Sequence, residues 1–157
     1  MIRPAIAAAL ISMLSTSAVA ADTPRHLEVE HNSGLVMPFR LDATTHAFVP
    51  TPSGGVETVT VHHADARQIA LVRSHLRKEA LAFRRGDFSD PAAIHGAAMP
   101  GLRAMRAGAA NIDVRYIQVQ NGAAIRYATK DPALVSAIHA WFKAQVSDHG
   151  RHATMTM

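Results

Sequence analysis

The chain has 157 residues, no cysteine and a formal charge of +4. The missing thiols exclude disulfides, cysteine catalysis and zinc sites built on sulfur. Aromatic residues make up only 5%, and the mild basic excess lacks the aromatic interleaving of a nucleic-acid surface.

In chain order, residues 1–21 read as a secretory signal peptide. Arg3 supplies the positive start, Ala5 to Leu14 the short apolar run, and Ala18-Val19-Ala20 an A-x-A cleavage pattern. That run is shorter than the roughly 20 residues needed to span a bilayer. A periplasmic or secreted protein is expected, with no stable membrane insertion after cleavage. About 136 residues then remain, the size of one domain.

Residues 22–36 are polar, carry His26 and His31, and read as a mobile arm. A single domain is expected over 37–150. Met37 to Val49 alternates in part, Pro50 to Gly55 supplies turn chemistry, and Val56 to Val61 alternates again. These residues predict a β-hairpin pairing Ala47–Val49 with Glu57–Val61. Asp65 is a good N-cap for a helix over Ala66 to Arg85, whose apolar positions Ile69, Val72, Leu76, Ala80 and Phe83 recur at three- and four-residue steps. Its arginines and lysine read as a solvated face. Gly86 to Gly101 is rich in turn formers and reads as a long connector without regular structure, holding His95 and Met99. Gly101 to Arg106 offers a helical turn. Ile112 to Val119 and Ala124 to Thr129 flank Asn121-Gly122, a strong hairpin signal. Asp131-Pro132 then opens a second helix with Val135, Ile138, Phe142 and Val146 on its apolar stripe. Residues 151–157 read as a disordered tail.

An internal repeat emerges. Aligning Asp65 with Asp131 places Ile69 on Val135, Val72 on Ile138 and Leu76 on Phe142. The expected fold class is α+β: two ββα units (ββαββα), their hairpins joined in an antiparallel sheet with both helices on one face. Ile69, Val72, Leu76, Phe83, Val135, Ile138 and Phe142 are the expected core.

Histidine is the unusual component, with ten imidazoles joined by seven methionines. Imidazole is a common metal ligand, and thioether selects soft ions such as Cu(I). The candidate ligands are His46, His75, His95, Met99, His139 and His149. His75 and Glu79 lie four apart and share a helix face. No HExxH, GxSxG, GxGxxG or P-loop pattern occurs, and no spacing among the acidic residues marks a carboxylate pair. Two readings follow. The chain binds a transition metal, copper ahead of zinc or haem iron; or it is a metal-free structural or interaction module whose histidines make hydrogen bonds. An enzyme with a histidine base has the least support.

The segments MPFRLDATTHAFVPTPSGGVETV, QIALVRSHLRKEALAFRRGDFSDPAAIHGAAMPGL and DPALVSAIHAWFKAQVSDHG resemble a family of small exported bacterial proteins with no settled activity, whose members often carry the label aspartate carbamoyltransferase. The resemblance covers Met37 to Gly150 and implies that His46, His75, His95, His139 and His149 match the family's histidines. The Ser-Thr-Arg-Thr phosphate loop and His-Pro-Thr-Gln segment of a true carbamoyltransferase are absent, so that activity is not expected.

Overall fold

The structure, a computed structural model, describes residues 24–156; the expected signal peptide at residues 1–21 lies outside them. The fold is α+β. Helix α1 (Pro24–Val36) leads into β1 (Thr44–Thr51), β2 (Gly54–Val61) and the long α2 (Ala66–Arg84). Two short helices, α3 (Ser89–His95) and α4 (Leu102–Ala107), connect to β3 (Asp113–Val119) and β4 (Gly122–Ala128). Helix α5 (Pro132–His149) and strand β5 (Ala153–Met155) follow. No described helix is long and apolar enough to cross a membrane.

The two hairpins join through β2 and β4, giving the sheet order β3-β4-β2-β1-β5. All neighbours are antiparallel except β5, which runs parallel to β1. Strand side chains alternate between faces. The register therefore puts His46 beside Val59, Phe48 beside Glu57, and Glu57 beside Ile125 on one covered face. Helices α2 and α5 pack there, and Phe83, Tyr127, Trp141 and Phe142 meet edge to face over it. Gly55 sits under Phe142: a Cβ at that position would strike the ring.

The repeat is visible in the caps and the core. Asp65 accepts from the Arg67 and Gln68 amides, and Asp131 from the Ala133 amide, satisfying donors that a helix start leaves open. Val72 and Ile138 are fully buried, as are Leu76 and Phe142. The next pair departs from expectation: Ile69 and Val135 are only half-buried, and in α5 the buried face runs through Leu134, Ile138, Trp141 and Phe142 instead.

Four further expectations are corrected. The arm at 22–36 is helical from Pro24 onward, with Val29 and Ser33 buried. Asn32 donates to the Ile94 carbonyl, and Arg25 donates to the His95 carbonyl. Proline at the first helical position was the available signal. The connector 86–101 contains α3, where Ser89-Asp90-Pro91 forms the opening turn and Gly96 at φ 87 ends it. The tail at 151–157 is not loose through Thr156: β5 pairs with β1, and the Thr156 amide donates to the Phe48 carbonyl. The basic side of α2 is partly an anchor. Arg73 donates to three carbonyls of the β3–β4 turn, Arg84 donates to the Val114 carbonyl, and Arg77 lies over the Tyr116 ring.

Candidate functional site

A cavity of about 40 Å³ opens between the sheet, α2, α3 and α5. His46 reaches it from β1, His75 and Glu79 from α2, Asp90 and His95 from α3, and Gln145 and His149 from α5. The apolar wall includes Met37, Phe39, Phe83, Ile125 and Trp141. Four of the six candidate ligands are thus brought together: His46, His75, His95 and His149. The other two stand elsewhere. His139 donates its Nε2 hydrogen to the Thr51 and Gly54 carbonyls at 3.0 and 2.8 Å, fastening α5 to the β1–β2 turn. Met99 is a buried member of the apolar core.

His75, Glu79 and Asp90 form the tightest group. Each offers one donor atom, and these atoms all lie within 4.8 Å of one another. The helical i, i+4 spacing aligns His75 with Glu79, and the α2–α3 connection folds Asp90 back onto them. Lys78 Nζ donates to Asp90 Oδ2 at 2.9 Å from the solvent side. Glu79 and Asp90 are the carboxylate pair that chain spacing does not mark. Ser-Asp-Pro as a helix opening was the signal that placed Asp90 on structured backbone.

Electrostatics in the cavity follow burial. Burial pushes the Glu79 carboxyl up to about 8, and the neighbouring Asp90 pushes the same way. Burial also opposes ionisation of Asp90, but hydrogen bonds from Lys78 and Glu79 prevail and hold it below its ordinary range. Glu57, whose carboxylate accepts from the Tyr127 hydroxyl at 3.2 Å, is raised to about 7 by burial. Burial lowers His46 to about 3 and His75 to about 4. His95 and His149 are lowered too, again chiefly by burial. Burial thus disfavours the charged form of all four imidazoles, and the neutral form is the one that binds metals.

His95 is held from behind. Its Nδ1 hydrogen points to Asp148 Oδ2 at 2.9 Å, and Arg25 grips both Asp148 oxygens at 3.2 and 2.6 Å. This fixes the ring and leaves Nε2 toward the cavity.

Several polar atoms lining the cavity have no hydrogen-bond partner among the described residues: His46 Nε2, Glu79 Oε1, Trp141 Nε1 and Gln145 Oε1. Gln145 lies near enough to His95 to favour its charged form, but Oε1 makes no well-formed bond. Each orphaned buried group costs about 1–3 kcal/mol, and such groups gather where a ligand completes them. The volume bounds that ligand. Sites for drug-sized molecules run to roughly 300–1,000 Å³, so this cavity is on the scale of ions and water and not of a haem.

Comparison with protein-family models, with curated proteins and with solved structures finds no match to this chain.

Proposed function

We propose that this is an exported protein that binds a divalent first-row transition ion through nitrogen and oxygen donors, with His75, Glu79 and Asp90 as its ligands. The observation that carries the reading is the convergence of those three donor atoms within 4.8 Å at the wall of a polar-lined cavity. Neutral imidazole with carboxylate suits zinc and copper(II), and copper(II) binds such sets more tightly by the Irving–Williams order. Met99 lies outside the cavity, so it drops out as a ligand, although the Met37 side chain does line the cavity. Export rests on residues 1–21, and an extracytoplasmic ion-binding role accords with a chain free of cysteine. The metal-free alternative draws on His139, whose Nε2 is engaged by two backbone carbonyls.

The test is calorimetric titration of metal-stripped protein with zinc and with copper(II). Asp90→Asn and His75→Gln should each weaken binding at least a hundredfold, the scale expected for loss of a ligand. Absence of binding by the unaltered chain, or affinity in both variants equal to that of the unaltered chain, would overturn the proposal.

A further inference from the structure

The cavity has a second group of donors that the His75–Glu79–Asp90 set does not use. His149 stands between His46 and His95, with its ring centroid 5.1 Å from that of His46 and 4.9 Å from that of His95. All three rings are buried. Packing three imidazoles against one another leaves polar nitrogens out of water, and His46 Nε2 has no hydrogen-bond partner among the described residues.

We propose that His46, His95 and His149 form a second ion station in the same cavity, with Gln145 Oε1 as its oxygen donor. This rests on the reading of the cavity as a metal site and extends it from one ion to two.

The spacing supports the assignment. With Zn–N bonds of about 2.0–2.1 Å, each imidazole centre lies ~3.2 Å from the ion, and tetrahedral angles then set neighbouring centres ~5 Å apart. Both measured separations match. The donor atoms of this set do not all fall within 4.8 Å of one another, unlike those of the first group, so binding draws the outer rings inward around His149. Gln145 precedes His149 by one turn of α5, which places both on one face, and its buried Oε1 is free to complete an N3O set. Behind His95, the Asp148 carboxylate and Arg25 make the carboxylate–histidine arrangement that orients metal-bound imidazoles. The three-imidazole set is softer than the carboxylate set beside it, and suits zinc or copper(II).

Native mass spectrometry of the metal-stripped chain titrated with zinc separates the two stations. The unaltered protein should take two ions, and Glu79→Gln and His149→Ala one each. Cobalt(II) added to Glu79→Gln protein should give the intense visible bands of a tetrahedral ion, because only the imidazole station remains; this keeps the test decisive if His149→Ala folds poorly. One ion in the unaltered chain, lost in Glu79→Gln, would overturn the second station and leave the first. One ion retained in Glu79→Gln and lost in His149→Ala would support the imidazole station and overturn the carboxylate site. No ion bound by the unaltered chain would overturn both.

Discussion

Glu79→Gln should make the metal-free protein more stable, by an amount that grows with pH. Glu79 is 6% exposed, and burial with Asp90 raises its carboxyl from 4.5 to about 8. A group whose folded value is raised contributes its full stability below the unfolded value and loses it as pH rises toward the folded one. The loss is about 1.4 kcal/mol per pH unit. At pH 7.5, about three units above the unfolded value, it reaches about 4 kcal/mol, an upper bound that relaxation and water entry reduce in real proteins. Glutamine has nearly the same shape, carries no proton to gain, and can donate to Asp90. The substitution should therefore gain about 2 kcal/mol at pH 7.5 and nothing at pH 4.5. Urea unfolding of metal-stripped protein reads this directly. With a slope near 2 kcal/mol per molar, the midpoint should rise by about 1 M at the higher pH. Saturating zinc should reverse the order, since an ion at a hundred times its Kd adds about 2.7 kcal/mol to the chain that binds it. A loss of stability equal at all pH values would show that Glu79 is ionised and well paired, and would refute the burial argument.

Two predictions concern the scaffold. Leu76→Ala should cost about 2–5 kcal/mol by chemical denaturation, because the side chain is 3% exposed in the main core; a cost below about 1 kcal/mol would contradict that burial. Gly101→Ala should lower stability by about 2–5 kcal/mol, combining left-handed strain at φ 80 with a collision between the new Cβ and the Ala137 carbonyl of α5. Gly96→Ala has similar φ but open space around it, so it should cost only the strain of about 1–2 kcal/mol; equal losses in thermal melts would refute the packing argument.

The parts of this fold legible in the chain are those with local causes. Asp65 and Asp131 announce helices because a cap is a contact two or three residues long. The hairpins announce themselves through alternation and glycine turns. Helices α1 and α3 escaped because neither has an apolar stripe of its own. Helix α1 is polar over most of its surface, and α3 is a single short run between glycines at 86 and 96. Their stability comes from partners distant in sequence, such as Asp148 for Arg25 and the Ile94 carbonyl for Asn32. Ile69 and Val135 looked like core because periodicity gives only an approximate direction; in α5 the face that is buried carries Leu134, Ala137, Ile138 and Trp141.

The candidate site shows the same division. His75 and Glu79 are readable as a pair because helix geometry fixes them four residues apart. Asp90 joins them only because α3 turns back over α2, and chain spacing holds no trace of that. His46 is directed by sheet register: opposite Val59, on the covered face, it has nowhere to go but the cavity. His139 belongs to the same helix as His149 but lies toward the other end, where two carbonyls of the β1–β2 turn claim its ring. The energetic balance explains why this cluster points to a ligand. Phe83, Phe88, Tyr127, Trp141 and Phe142 form a closed aromatic core beside the cavity. Apolar side chains in place of His46, Glu79 and Gln145 would extend that core and remove three orphaned polar atoms. Buried polar groups of this kind cost stability unless they are satisfied. In the proposed reading, ions bound at the two stations would satisfy them, which the internal hydrogen bonds do not do here.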